Sequence, residues 1–136
     1  MNSGILLDTH ALVWLAFADA RLGPRARSLI DATLKDDAVF VSAISFFEVA
    51  TLSRRGRLRL YEGAATWRRA VLQRGITEAP LVGEVAIAAA DLDGLPGDPA
   101  DRIITATAIV RDATLVTADE RILGWSGNVR RQDARL

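Results

Sequence analysis

Cysteine is absent from the 136 residues, which excludes a disulfide framework and thiolate metal sites and leaves only oxygen or histidine ligands for any metal. Histidine is scarce as well, because His10 is the only one. Lys35 is the only lysine, so the 17 basic residues are almost all arginine. Arginine suits bidentate phosphate contacts, yet an arginine-rich, lysine-poor chain is equally what a GC-rich genome would encode. Equal numbers of acidic and basic residues give a net charge of zero, so bulk charge announces no nucleic-acid partner. No stretch approaches the roughly 20 apolar residues of a membrane span, and no basic region precedes the first apolar run. A cytoplasmic protein is the expectation. Half of the residues are apolar and a quarter charged, the balance of a globular chain, and its length fits one domain over residues 1–136.

Apolar runs that alternate with helical spacing predict an α/β fold. Ile5-Leu6-Leu7 reads as a buried strand that ends at Asp8 and turns into a helix from His10 to Phe17. Gly23-Pro24 opens a second helix to about Lys35, and Val39-Phe40-Val41 is the second strand. Ser42 or Ser45 can cap the next helix, which carries Glu48. Further helices are expected near 63–74, 82–92 and 98–112, with strands at 76–79 and Thr114–Thr117. A last strand is expected at Asn128-Val129-Arg130, with frayed residues after it. Parallel neighbours need a crossover and helices supply it, so the expected architecture is a three-layer α/β/α sandwich with a mostly parallel sheet.

Four acids stand out from this pattern. Asp8 and Asp119 fall just beyond predicted strand ends, where open parallel sheets gather ligands. Asp101 falls in the first turn of a helix, and Glu48 lies beside Phe46 and Phe47, where an acid is expected to be half buried and to need a partner. Each has an ordinary alternative: Asp8, Asp98 and Asp119 can cap helices, Asp101 can serve a capping box, and Glu48 can face solvent. Together at one edge they would repel one another unless a divalent cation neutralised them. Hard carboxylate ligands suit Mg²⁺ or Mn²⁺, and a metal-activated water could then hydrolyse a phosphodiester without a protein nucleophile.

The ordered segments Ile5-Leu-Leu-Asp-Thr-His-Ala-Leu-Val-Trp14, Ser42-Ala-Ile-Ser-Phe-Phe-Glu-Val-Ala50, Leu95-Pro-Gly-Asp-Pro-Ala-Asp-Arg-Ile-Ile104 and Leu115-Val-Thr-Ala-Asp119 closely resemble the PIN-domain family, in particular its VapC-type toxins. The resemblance runs from Ile5 to about Leu123. It implies a Mg²⁺- or Mn²⁺-dependent endoribonuclease, with metal and catalytic roles on Asp8, Glu48, Asp101 and Asp119. It further implies hydroxyl groups at Thr9 and Thr117 that orient the carboxylates, Asp98 as the cap that positions Asp101, and Arg102 touching the acids, a substrate phosphate or a structural ion-pair partner. A prokaryotic VapB-type antitoxin, an RNA substrate and a homodimer are implied as well. Gly97 stands where the family often has a histidine before Asp-Pro, and packing or capping is the expected role of His10.

Arg54, Arg55, Arg57 and Arg59, followed by Arg68, Arg69 and Arg74, form the basic concentration across which RNA could enter, with a solvated or antitoxin-facing surface as the alternative. Trp14, Phe17, Trp67 and Trp125 are candidates for partner contacts, and equally for the core. A haloacid-dehalogenase-type phosphatase would want an aspartate where His10 stands, and a receiver domain a lysine late in the chain. A non-catalytic binding protein would have no use for acids at all four positions.

Overall fold

Ile5, Leu6 and Leu7 carry no polar atom beyond the backbone and are almost wholly buried. A strand buried on both faces must have neighbours on both sides. In the computed structural model, which describes residues 4–136, this segment is β1 (Ile5–Leu7), the centre of a five-stranded sheet. The others are β2 (Val39–Ser42), β3 (Thr77–Ala79), β4 (Thr114–Thr117) and β5 (Arg131–Asp133), in the order β3-β2-β1-β4-β5. Every pairing is parallel, with Leu6 opposite Phe40 on one side and Leu115 on the other. Gly4 precedes β1 at φ +91°, and a Cβ there would lie 2.5 Å from the Ala38 carbonyl oxygen, which requires a glycine.

The two-residue period of the strands divides the core into two layers. Ile5, Leu7, Val39, Val41 and Val116 face one cluster, covered by Ala11, Leu12 and Leu15 of α1 (Thr9–Ala16), Ala26 and Ile30 of α2 (Pro24–Leu34) and Val71 of α4 (Ala64–Gln73). Leu6 and Leu115 face the other, which α6 (Pro99–Val110) covers with Ile104 and Ala108. Ile44 of α3 (Ala43–Arg54) packs at its margin. Val85 and Ala89 of α5 (Gly83–Ala90) pack against Ala106 of α6. The short α7 (Glu120–Leu123) follows β4. This is the three-layer α/β/α sandwich, with a sheet that is parallel throughout.

Two expectations at the C-terminus are corrected. The last strand is Arg131–Asp133 and not 128–130, because Val129 is drawn into the core beside Trp125 while Arg131, Gln132 and Asp133 pair with Leu115, Val116 and Thr117. An edge strand of three polar residues has no hydrophobic alternation to reveal it. Nor is the end frayed: Ala134 is buried, its carbonyl accepts from Gly23 N at 2.8 Å, and the Leu136 carbonyl accepts from Ala26 N at 2.8 Å. The chain end thus satisfies donors that the first turn of α2 leaves free. Among the described residues no helix is long and apolar enough to cross a membrane.

Leu6 is fully buried at the centre of the sheet. Leu6→Ala is expected to lower the unfolding free energy by about 2–5 kcal/mol through lost transfer energy and the cavity left behind. Urea denaturation followed by circular dichroism measures this, and a loss below 1 kcal/mol, on this scale roughly that of a single surface contact, would contradict the assignment.

Candidate functional site

The chain passes from β1 to β2 and β3 on one side and returns to β4 and β5 on the other, so the strand order reverses between β1 and β4. Open α/β sheets bind ligands outside the strand ends at such a point. Asp8 leaves β1 there. Its backbone N–H donates to Val116 O at 3.0 Å, and Oδ1 accepts from Ala11 N at 2.8 Å as the N-cap of α1. Its Oδ2 accepts from the Thr117 hydroxyl of β4 at 2.5 Å. Only 6 % of Asp8 is exposed.

Ser42 caps α3, whose twelve residues bring Glu48 beside the start of α1. The Thr9 hydroxyl bonds both Glu48 Oε1 and Ser45 Oγ, the latter at 2.9 Å. One hydroxyl proton serves one acceptor, so Thr9 donates to the carboxylate and accepts from Ser45. The two phenylalanines separate: Phe46 packs against the core, whereas Phe47 is 66 % exposed.

Asp98 caps α6 by accepting from Asp101 N at 3.0 Å. Asp119 caps α7 and accepts from Arg121 N at 2.8 Å, while its own N–H donates to Thr117 Oγ1 at 3.0 Å. The Arg121 guanidinium joins the two: Nη2 lies 3.1 Å from Asp101 Oδ2 and 3.0 Å from Asp119 Oδ2. Gly97 sits at φ +132°, and a Cβ there would stand 3.3 Å from Asp101 Oδ2. Any side chain at 97 would therefore crowd the acids. Asp8, Glu48, Asp101 and Asp119, with Thr9, His10, Asp98 and Arg121, line one cleft of about 170 Å³.

The electrostatics of this cleft follow from burial and crowding. Burial foremost holds Asp8 above the usual carboxylate range, against the Thr117 and Ala11 hydrogen bonds. Burial likewise raises Glu48, against the Thr9 bond. Asp101 is pushed up to about 7 by burial, then by Asp98, Asp119 and Glu48, with Arg121 pulling back. Asp119 goes the other way: burial raises it, but hydrogen bonds from the Arg121 side chain and backbone outweigh burial and hold it low.

Among the described residues no group of three or more His, Asp or Glu side chains is arranged as a ready-made ion cage. Each carboxylate is instead held by a protein donor: Asp8 by Thr117, Glu48 by Thr9, and Asp101 and Asp119 by Arg121. The donor set is nevertheless that of a hard divalent cation, all carboxylate and hydroxyl oxygen. A guanidinium already bridging two of the acids shows that this corner accepts positive charge.

Other residues singled out from the sequence lie elsewhere. Among the described residues Arg102 touches neither the acids nor an ion-pair partner, which corrects two of its three expected roles. Its guanidinium donates to the carbonyls of Ala89 (3.1 Å), Ala90 (3.3 Å), Leu92 (2.7 Å) and Leu95 (2.6 Å), clamping the loop before α6. Arg54, Arg55, Arg57 and Arg59 are exposed at the end of α3 and beyond it. Of these, Arg55 lines an apolar groove of about 440 Å³ that includes Ile44, Phe47 and Leu52 and meets the acidic cleft at Thr9 and Glu48. Arg59 lines a separate hollow, and Arg68 is paired with Glu78 at 2.8 Å. Trp14 and Trp125 are core residues, and Phe17 stacks on Trp67 with ring centres 6.4 Å apart.

Arg121 and Phe47 were not legible as site residues, though for Arg121 a signal existed. Asp19-Ala-Arg21, Asp119-Glu-Arg121 and Asp133-Ala-Arg135 share one pattern, and in each the arginine N–H bonds the aspartate Oδ1 at 2.8–2.9 Å while its guanidinium folds back on the same carboxylate. An arginine two residues after an aspartate is thus held beside it in all three segments, and only Asp119 is also a helix cap.

Comparison with known proteins gives a consistent picture. The PIN domain family model matches residues 5–124. Ribonuclease VapC22 of Mycobacterium tuberculosis (strain ATCC 25618 / H37Rv) is 36 % identical over 118 residues, 87 % of this chain and 88 % of that protein. VapBC2 from Rickettsia felis, solved bound to a DNA fragment from its promoter, superposes with a TM-score of 0.70 at 17 % identity, over 94 % of this chain and 97 % of that one. FitAcB from Neisseria gonorrhoeae does so with a TM-score of 0.63 at 22 % identity, over 96 % and 97 %. At these identities the two structures speak for the fold.

The crowding has a consequence for pH. Asp101 titrates near 7 in the folded protein against 3.8 as its ordinary value, so between those values the folded state binds more protons than the unfolded one, and stability falls as pH rises. Asp8 and Glu48 act in the same sense. Asp19, Asp119 and Asp133, lowered by their arginines, act oppositely but only in more acid solution. Without divalent ions the melting temperature should therefore fall from about pH 5.5 to about pH 8. Asp101→Asn should flatten that decline and melt several degrees higher at the alkaline end. A wild-type melting temperature that stays level or rises over this range would refute the arrangement.

Proposed function

This chain belongs to the PIN-domain family, whose members are nucleases, and on that premise we propose that it is a divalent-cation-dependent endoribonuclease, the toxin of a VapBC-type toxin–antitoxin pair. The convergence of Asp8, Glu48, Asp101 and Asp119 on one cleft at the point where the strand order reverses carries this reading. Carboxylate and hydroxyl donors suit Mg²⁺ or Mn²⁺ as the ion.

Asp8 and Asp101 would hold the ion directly, with Asp119 an outer ligand at the edge of the cleft. A cation bound there would acidify a water and screen the charge that develops on the phosphoryl oxygens. Glu48, raised in proton affinity by burial, would orient the attacking water and accept its proton as the new P–O bond forms, while the leaving oxygen departs with the electrons of the broken P–O bond and takes a proton from solvent. Thr117 and Thr9 fix the directions in which Asp8 and Glu48 present their free lone pairs. Asp98 fixes the backbone of Asp101 through the helix cap. The RNA strand runs from the cleft along the groove toward Arg55, where phosphate contact adds salt-sensitive affinity. Arg54, Arg57 and Arg59, exposed at and beyond the end of α3, would add further contacts of the same kind. The partners that accompany this reading are a VapB-type antitoxin and a second copy of the chain, with residues 1–136 acting as one domain in a prokaryotic cytoplasm.

Purified free of antitoxin, the protein should cleave single-stranded RNA in millimolar Mg²⁺ or Mn²⁺, and either ion should raise its melting temperature. Excess chelator should abolish cleavage. Asp8→Asn should reduce it by more than the roughly 10–100-fold that changes in outer-shell partners produce. Undiminished cleavage in the variant or in chelator, read from end-labelled RNA on a gel, would sink the proposal.

A further inference from the structure

Of the three Asp-x-Arg clamps, those of Arg21 and Arg135 close on their own aspartate and, for Arg135, on Glu120 at 2.7 Å. Arg121 alone reaches a second acid of the cleft, Asp101, twenty residues earlier in the chain. Its guanidinium is also half exposed, and it lines both the acidic cleft and a neighbouring hollow of about 420 Å³ bordered by His10, Trp14 and Arg135.

We infer that Arg121 is an exchange residue, whose guanidinium neutralises Asp101 and Asp119 until a divalent cation replaces it and then turns to a phosphate of the bound RNA. The inference rests on the nuclease reading of the site. Three features support it. The guanidinium and a divalent ion want the same Oδ2 atoms, and two cations on one pair of acids repel each other. Asp119 does not lose its position when the side chain leaves, because the Arg121 backbone N–H still holds Oδ1 at 2.8 Å. The freed group has open space beside the cleft and is a planar fork that pairs with phosphate oxygens as readily as with a carboxylate.

The role predicts changes of opposite sign in two measurements on Arg121→Gln. Calorimetric titration with Mn²⁺ should show binding roughly two- to tenfold tighter than in the wild type, the scale expected when two exposed ion pairs no longer compete. At saturating Mn²⁺ the KM for a single-stranded RNA should rise several-fold, with kcat changing less. A purely structural clamp would leave the Mn²⁺ affinity unchanged, and that result would overturn the inference. A spectroscopic readout needs no loss of charge: the Arg121 Nε–Hε cross-peak, assigned by its loss in Arg121→Lys, should shift when Mg²⁺ is added. Should Arg121→Gln fail to fold, this peak decides the matter, and a peak unmoved at saturating Mg²⁺ overturns the exchange. Wild-type protein that binds Mn²⁺ more weakly than the variant but cleaves no RNA would support the exchange of cations and sink the endoribonuclease reading instead.

Discussion

The 2.5 Å hydrogen bond from the Thr117 hydroxyl to Asp8 Oδ2 joins two residues 109 positions apart in sequence, and the cleft depends on it. Asp8 is almost fully buried, and a carboxylate withdrawn from water is costly unless its lone pairs are engaged. Its Oδ1 is taken by the helix that follows and its Oδ2 by the neighbouring strand. Only the pairing of β1 with β4, Leu7 opposite Val116, brings Thr117 within reach. A slip of one residue would turn Thr117 to the other face of the sheet and leave Asp8 unsatisfied. The register of the central strands and the chemistry of the cleft are therefore one constraint.

That constraint is shared among three helix starts. Asp8 caps α1, and Asp98, one residue ahead of the prolyl start of α6, and Asp119, at the start of α7, do the same there. Each N-terminus presents unpaired N–H groups and the positive end of its helix dipole. Backbone donors thus offset part of the charge that four acids concentrate in one place, and burial, together with the charge they leave uncompensated, appears as the high proton affinity of Asp101. Capping and metal binding looked like competing explanations for these aspartates. They are compatible, because a cap engages one carboxylate oxygen and leaves the other for a second partner: in Asp119, Oδ1 accepts from Arg121 N while Oδ2 meets the guanidinium, and in Asp8, Oδ2 meets the Thr117 hydroxyl.

The sequence shows Asp8, Asp101 and Asp119 plainly because each follows a recognisable boundary, a strand end or an Asp-Pro start, whereas Glu48, in the middle of α3, stands out only by its apolar neighbours. Ser42 and Gly23-Pro24 announce α3 and α2 in the same way. What escapes is whatever depends on direction and not on boundary. Phe46 and Phe47 are indistinguishable in composition, yet the helical turn sends one into the core and the other to solvent. Arg102 follows Asp101 in the chain but turns away from the acids to the carbonyls of Ala89 and Ala90 at the end of α5 and of Leu92 and Leu95 in the loop after it. β5 is held by backbone pairing and by the Arg131 guanidinium on the Trp125 and Gly127 carbonyls, neither of which an alternation of apolar residues discloses.

The Arg102 clamp has a bearing on the cleft all the same. Residues 91–98 must cross from α5 to α6 and deliver Gly97 at φ +132° with Asp98 poised to cap. Loop carbonyls facing inward without a donor would destabilise that crossing. A guanidinium has five N–H groups in a planar fork, so one side chain satisfies the loop carbonyls of Leu92 and Leu95 together with those of Ala89 and Ala90 at the end of α5. Asp101 is thus fixed from both sides of its backbone, by Asp98 through the cap and by Arg102 through the loop, while its carboxylate meets Arg121. A rigid backbone beneath a carboxylate held by one exchangeable partner is what a site needs if its ion is to enter without rearranging the fold.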